Sequence, residues 1–242
     1  MASQYRTVGV LGGMGPDATV DFMSKVIAAT PASKDQDHLH MLVDHNPGVP
    51  NRQEAILRGG ADPGPELAAM AARLEAAGAE FLVIPCNTAY VFEESIVAAV
   101  GIPLVSIIDV TIDEVGQRAP GATSIGVLAT DGCLTAGVYQ DALEKRGLVA
   151  VLPDAGQLEV LMTLINGIKG GLADRQTTLG MRAIAEALCA RGAQALIAGC
   201  TEIPLVLDET MVPVPLIAST DVLAERTVAL ARGDLPLPVK ES

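Results

Sequence analysis

The sequence predicts an α/β protein made of two similar parallel-sheet domains. Short apolar runs that end in Gly, Pro, Asn or Thr alternate with Ala-rich stretches of helical periodicity, which is the pattern of parallel strands joined by right-handed crossover helices. The chain has 242 residues, and 50% of them are hydrophobic, which suits one large or two small α/β domains. The third observation is an internal repeat, in which segments of the first half reappear in the second.

Each predicted strand is a short apolar run, often β-branched, that stops at a turn-forming residue, and such runs are typical of buried strands. In chain order the predicted strands are Val8–Leu11, Leu39–Asp44, Phe81–Ile84, Leu104–Ile108, Ser124–Leu128, Ala195–Ala198 and Leu216–Ala218. Helices are predicted between them, most clearly in PELAAMAARLEAAGA and MRAIAEALCARGA, where apolar residues recur every three or four positions and a glycine ends the pattern. Strands and helices therefore alternate along the whole chain.

The internal repeat joins three pairs of segments in the same order. VGVLGGMGPDAT corresponds to IGVLATDGCLTAG, GAEFLVIPCNTAY to GAQALIAGCTEIP, and GIPLVSIIDV to VPVPLIASTDV, at spacings of 117, 114 and 111–112 residues. Three ordered matches at a steady spacing indicate a duplicated domain. We therefore predict two flavodoxin-like domains related by pseudo-two-fold symmetry, residues 1–119 and 120–242, with the helix after about residue 221 a candidate to pack back on the first domain.

Composition argues against several classes of function. The net charge is −13 and the basic residues are scattered, so no basic surface is expected to bind nucleic acid. No apolar run approaches the length of a membrane span and the N-terminus lacks a signal-peptide pattern, so we expect a cytoplasmic protein with free thiols. The four cysteines form no C-x-x-C pair, and an edge or core role suits the three histidines better than metal ligation, so no metal site is predicted.

A glycine pattern follows the first strand. LGGMGPDA contains G-x-G-x-x-A at Gly13, Gly15 and Ala18, which is the fingerprint of dinucleotide-binding domains. Pro16 interrupts it, the acidic residue that should follow is poorly placed, and the equivalent loop of the second half lacks the glycines. An NAD-dependent Rossmann-type oxidoreductase is thus the second choice. We favour glycines whose amides point at a small carboxylate, although a tight strand-to-helix turn explains them almost as well.

Two cysteines occupy equivalent strand ends of the repeat. Cys86 and Cys200 each follow a predicted strand and precede a predicted helix, whose N-terminus is expected to lower the pKa of the thiol. Ligands of open parallel sheets bind beyond the carboxyl ends of the strands, so the two thiols are expected to face a shared cleft. Either thiol alone could be structural, as Cys189 on an apolar helix face is expected to be. As a pair, they could remove a proton from one face of a carbon and return one to the other, which is two-base racemisation.

Several motifs carry a family resemblance that runs from about residue 7 to 221. VGVLGGMGPDATVDF, HNPGVPNR, VIPCNTAY, IGVLATDG, INGIK and AGCTEIPL resemble the aspartate/glutamate racemase family, and most closely its pyridoxal-independent aspartate racemase branch, which includes broad-specificity amino-acid racemases. The resemblance implies an active site in the cleft between two α/β domains, usually within a homodimer, with no cofactor and an amino acid as substrate. It also implies that Cys86 and Cys200 are the paired acid and base.

The resemblance assigns substrate-binding roles as well. Arg52 matches the arginine that holds a substrate carboxylate, a role that suits a guanidinium, and Lys169 matches the lysine that contacts a second carboxylate. A surface arginine and a solvated helix end are the alternatives for these two residues. The remaining predicted contacts are Met14, Asn87, Thr88, Thr130, Cys133 and Thr201.

Two positions depart from the family pattern. Cys133 stands where threonine is frequent and Tyr90 where histidine is frequent, so aspartate, glutamate or a broader set of amino acids are all open as substrates. A maleate isomerase-like enzyme of the same superfamily and a non-catalytic amino-acid or dicarboxylate binding protein are further alternatives.

Overall fold

The computed structural model describes residues 5–239, which contain two four-stranded parallel sheets with helices around them. The chain divides into two compact units. Within the described residues, the first unit comprises residues up to 107 together with those from 220 onward, and the second comprises residues 108–219. Two similar parallel α/β units confirm the predicted fold class. No helix in the described range is long and apolar enough to cross a membrane.

The first unit contains a sheet with the strand order β2–β1–β3–β4. Its strands are β1 (Val8–Gly12), β2 (Met41–His45), β3 (Phe81–Val83) and β4 (Leu104–Val105). The helices that follow them in the chain are α1 (Pro16–Ala29), α2 (Arg52–Arg58), α3 (Gly64–Ala76) and α4 (Glu93–Ala99), with 3-10 helices at Asp35–Asp37 and Asn87–Phe92. The central strands β1 and β3 are completely buried, so their sequences are continuous apolar runs rather than alternating ones.

The second unit repeats this order as β6–β5–β7–β8. Its strands are β5 (Ser124–Leu128), β6 (Val149–Val151), β7 (Ala195–Ala198) and β8 (Leu216–Ala218). Its helices are α5 (Ile107–Arg118), α6 (Asp131–Thr135), α7 (Val138–Glu144), α8 (Ala155–Lys169) and α9 (Arg175–Ala190), with 3-10 helices at Ile203–Leu205 and Glu209–Met211. The last helix, α10 (Ser219–Arg232), lies in the first unit from residue 220 onward.

The repeat is visible in the packing of the two central strands. A Cβ atom on Gly9 of β1 would lie 2.6 Å from Leu82, and a Cβ atom on Gly126 of β5 would lie 2.5 Å from Leu196. Leu82 and Leu196 are equivalent in the sequence repeat. The Cβ atoms of Ala79 and Ala193 would also be close, at 2.9 Å and 3.1 Å respectively, so a larger residue at either position would require its neighbours to shift.

The chain passes from the first unit to the second after Ile107, the first residue of α5, whereas the boundary predicted from the sequence lies between residues 119 and 120. Arg118 at the end of α5 donates a hydrogen bond to the carbonyl of Leu216 (3.2 Å), and Asp109 near its start pairs with Arg146 (3.0 Å), so α5 packs with the second unit. In the same way Asp221 of α10 pairs with Lys25 of α1 (2.5 Å), which ties α10 to the first unit.

Two strand predictions need correction. Strand β6 was missed although residues 148–152, LVAVL, form a short apolar run; the strand has three residues at the edge of the sheet, and Val149 is 62% exposed. The predicted strand Leu104–Ile108 is too long, since the chain leaves the sheet after Val105 and enters α5 at Ile107.

Candidate active site

In each unit the sequence-predicted site residues lie near the carboxyl ends of the parallel strands, where open α/β sheets bind ligands. In the first unit Met14 follows β1, Arg52 follows β2, and three consecutive residues follow β3: Cys86, Asn87 and Thr88. In the second unit Thr130 and Cys133 follow β5, Cys200 and Thr201 follow β7, and Lys169 is the last residue of α8.

Cys86 is a free thiol in the short segment between β3 and the 3-10 helix Asn87–Phe92. The residue is 7% exposed, and its N–H group donates to the carbonyl of Ile84 (2.8 Å). Asn87 and Thr88 beside it are also buried, and helix α2 packs against the 3-10 helix that they begin. The helix that starts at Arg52 is therefore a neighbour of the turn that carries Cys86.

The guanidinium of Arg52 is held by backbone carbonyls. Asn51 caps α2 by accepting from the N–H of Gln53 (2.9 Å), and this fixes the position from which Arg52 extends. The Nη1 atom of Arg52 donates to the carbonyls of Val49 (3.3 Å) and Pro50 (3.2 Å), whereas its buried Nε has no hydrogen-bond partner in the described part of the chain. A guanidinium with an unused N–H group is suited to bind a carboxylate.

The glycine loop after β1 is a tight turn. The N–H group of Gly13 donates to Oγ1 of Thr19 (2.8 Å), so the expectation that this amide points at a ligand carboxylate is wrong. Gly13 has a φ of +93°, and a Cβ atom there would lie 2.4 Å from the backbone of Asn46. Glycine is required at this position by the backbone conformation and by the close approach of two loops.

In the second unit, three ionisable side chains meet after β7. The Sγ atom of Cys200 donates to Oε2 of Glu202 (2.9 Å), and the Thr201 hydroxyl donates to the same oxygen (3.2 Å). The other carboxylate oxygen of Glu202 lies 3.9 Å from Nζ of Lys169. Cys200 is 6% exposed and Glu202 is 5% exposed, so the thiol and the carboxylate interact with little solvent between them.

In this environment the pKa of Cys200 shifts in the direction opposite to the one expected from the sequence. Burial, followed by the negative charge of Glu202, raises the pKa of the Cys200 thiol well above its ordinary value, and Lys169 offsets only part of the increase. The chain after Cys200 is a turn and a three-residue 3-10 helix, Ile203–Leu205, rather than a long helix. The prediction that a helix N-terminus lowers the pKa of this thiol is therefore wrong.

Glu202 contacts two of the predicted site residues, Cys200 and Lys169, and was not itself among the residues predicted from the sequence. Its signal was available, because a carboxylate two residues after a strand-end cysteine is within reach of the sulfur. The sequence could not show that the carboxylate is buried or that α8 brings Lys169 to it.

The structure shows the surroundings of Tyr90 and Cys133, the two departures from the family pattern. The phenol of Tyr90 donates to the carbonyl of Val105 (2.5 Å), which ties the turn after Cys86 to the end of β4, and burial raises the pKa of Tyr90 so that it stays neutral. Cys133 has no exposed surface, and its N–H group donates to Oγ1 of Thr130 (3.4 Å) as part of the cap of α6.

Among the residues that the structure describes, no group of three His, Cys, Asp or Glu side chains is arranged to hold a metal ion.

Several known proteins are similar to this chain in sequence and in fold. The sequence profile of the Asp/Glu/Hydantoin racemase family matches residues 11–227. The chain is 30% identical over 239 residues to the broad specificity amino-acid racemase RacX of Bacillus subtilis (strain 168), covering 92% of this chain and 96% of that protein. Its fold is similar to that of the aspartate racemase of Picrophilus torridus, with a TM-score of 0.83, 26% identity and 94% coverage of both chains. An aspartate racemase homologue from Pyrococcus horikoshii OT3 matches with a TM-score of 0.75 and 25% identity, over 93% of this chain and 99% of that one. The chain thus belongs to the Asp/Glu/Hydantoin racemase family.

Proposed function

We propose that this chain is a cofactor-independent amino-acid racemase in which Cys86 and Cys200 are the two catalytic bases. The observation that carries the proposal is the placement of two free thiols after β3 and β7, which are equivalent strands of the two repeated sheets. Racemisation needs one acid or base group for each face of the reacting carbon, and two equivalent strand ends can supply the two groups.

The chemistry follows from this symmetry. One sulfur, as a thiolate, removes the proton from Cα of the amino acid, and the other, as a thiol, donates a proton to the opposite face of the carbanion. Each sulfur must come within about 3–3.5 Å of Cα, so the proposal requires both thiols to reach the same substrate molecule. The proposed mechanism uses no pyridoxal phosphate, so the groups that bind the substrate carboxylate must stabilise the charge of the carbanion.

The binding roles are proposed from the side chains at the two sheet ends. Arg52 is assigned the substrate carboxylate, which its unused Nε–H group suits. Lys169 is assigned a second carboxylate when the substrate has one, so aspartate and glutamate are candidate substrates. The likeness to RacX supports a broader set of amino acids. The other proposed contacts are Met14, Asn87, Thr88, Thr130, Cys133 and Thr201.

The proposal is tested by incubating the protein with each of the twenty L-amino acids and resolving the products by chiral chromatography. The wild type should form at least one D-amino acid, and Cys86→Ser and Cys200→Ser should each nearly abolish this activity. Cys189→Ser is the matched control, because Cys189 lies on α9 and is given no role. Full activity in both active-site variants would eliminate the two-thiol mechanism.

A binding measurement and incubation with maleate separate the alternatives. An amino-acid binding protein would bind a ligand without forming its enantiomer, and a maleate isomerase would convert maleate to fumarate. The family resemblance also supports a cytoplasmic homodimer, which light scattering coupled to size-exclusion chromatography would detect as twice the mass of a 24.9 kDa chain.

A further inference from the structure

The two proposed bases have different partners two residues further along the chain. Cys200 is followed by Glu202, whose carboxylate accepts a hydrogen bond from the sulfur (2.9 Å). The residue of the first repeat that corresponds to Glu202, 114 positions earlier, is the uncharged Thr88. The repeat therefore supplies a buried carboxylate to one thiol and not to the other.

The contact between Cys200 and Glu202 favours one protonation state of the sulfur. A thiol donates its proton to a carboxylate, whereas a thiolate at the same distance would place two negative charges side by side in a buried site. In the described part of the chain the charged side chains that act on this sulfur are Glu202 and, from α8, Lys169. Lys169 contacts the far oxygen of the carboxylate at 3.9 Å, so it compensates the charge of Glu202 only in part.

We propose that Glu202 is a positioning residue that keeps Cys200 protonated in the resting enzyme, so that Cys86 starts turnover as the base and Cys200 as the acid. This inference rests on the racemase function proposed above. In the reaction, the Cα–H bond breaks and its proton joins the Cys86 thiolate. The S–H bond of Cys200 then breaks as its proton joins the opposite face of the carbanion, and the thiolate left beside Glu202 regains a proton from solvent while Cys86 loses one.

This arrangement extends activity to higher pH. Racemisation needs one thiolate and one thiol, so kcat/KM rises when the first thiol ionises and falls when the second does. Glu202 shifts the ionisation of Cys200 to higher pH, so the pH range in which the enzyme is active extends further on its alkaline side. Because enantiomers have equal free energies, kcat/KM is the same in both directions at every pH, and the width of the profile is therefore the quantity to measure.

The direct test is the variant Glu202→Gln, which removes the charge and keeps a side chain of similar size. In the absence of substrate, the rate at which iodoacetamide alkylates each cysteine is followed by mass spectrometry of the peptides, from about pH 6 to about pH 11. The pKa of Cys200 should fall by about one to three units, the range for removal of a nearby charge, while the profile of Cys86 stays unchanged. The alkaline limit of kcat/KM should fall by a similar amount. Glu144→Gln, which removes an exposed charge of the same unit, should change neither profile.

Several outcomes would overturn the proposal. An unchanged alkylation profile of Cys200 would do so, and so would an equal shift at every cysteine, since that would indicate a general loosening of the fold. If Glu202→Gln does not fold, Lys169→Gln tests the same electrostatic interaction with a change of opposite sign. Loss of the ammonium group should raise the pKa of Cys200, and a fall in that pKa would contradict the account. The alkylation experiment requires no turnover, so an absence of racemisation would refute the proposed function separately.

Discussion

Replacement of Gly199 by alanine should damage both stability and activity, because Gly199 directly precedes Cys200 and has no space for a side chain. Its added Cβ atom would lie 2.7 Å from Cε2 of Tyr139 and 3.3 Å from Cβ of Ala129. Ordinary contact begins at 3.4 Å, so the ring or the backbone must move by about 0.7 Å. Tyr139 is completely buried, and its ring cannot retreat into solvent.

The size of the effect follows from that overlap. Overpacking of a buried site costs about 1–3 kcal/mol, and this loss should appear as a lower denaturation midpoint in urea. A displacement of catalytic groups approaching 1 Å costs up to about a hundredfold in rate, so a shift of the Cys200 backbone should reduce kcat about tenfold or more. Gly116→Ala is the control, since nothing lies within 4 Å of its Cβ position and alanine favours the helix. Unchanged stability and kcat in Gly199→Ala would refute this reasoning.

Three further predictions address the helix that carries Lys169, the carboxylate anchor and the buried thiol. Asp154→Ala removes the reciprocal cap with Gln157 at the start of α8 and should cost about 1 kcal/mol in urea denaturation; no loss would show that the cap is dispensable. Arg52→Lys should raise KM by about tenfold or more with a smaller change in kcat, because lysine lacks the Nε–H group that is proposed to bind the substrate carboxylate, while Arg58→Lys on exposed α2 surface should leave both constants unchanged. Because the pKa of Cys200 is raised in the folded state, that state keeps a proton which the unfolded state loses near pH 9.0. The protonated thiol therefore contributes fully to stability below that pH, and its contribution declines above it. Between about pH 9 and 10, the free energy of unfolding of the wild type should therefore fall by up to about 1.4 kcal/mol per pH unit more than that of Cys200→Ser. Parallel curves of unfolding free energy against pH would contradict the raised pKa of Cys200.

The parts of the fold that the sequence predicted are those determined by burial on both faces. Strand β1 is a continuous apolar run because each of its residues is buried, and its repeat in β5 made the duplication recognisable. Strand β6 also lies in a short apolar run, LVAVL, but it belongs to none of the three repeated segments that identified strands in pairs, and its first residue is largely exposed at the sheet edge. The assignment of α5 to the second unit depends on ion pairs between residues distant in sequence, such as Asp109 with Arg146. No local sequence pattern reveals such pairs.

The candidate site shows the same limit. The repeat located Cys86 and Cys200 at equivalent strand ends, since strand ends are a local property of the sequence. The direction of the pKa shift at Cys200 was predicted wrongly, because a helix-terminus argument considers neighbours along the chain. Burial of the sulfur and the charge of Glu202 determine the shift instead, and the extent of burial depends on the tertiary fold.

The central claim is that the two sulfurs act on opposite faces of one carbon, and solvent isotope exchange tests it most directly. An L-amino acid that the protein racemises is incubated in D2O, and Cα deuterium is measured in both enantiomers by NMR after chiral separation, before the reaction has proceeded far. Two bases predict that the D-amino acid carries deuterium at Cα while the remaining L-amino acid keeps its original proton, because the sulfur that removes the proton is not the one that delivers its replacement. Deuterium entering both enantiomers at equal rates would show that a single base serves both faces, and the account would fail.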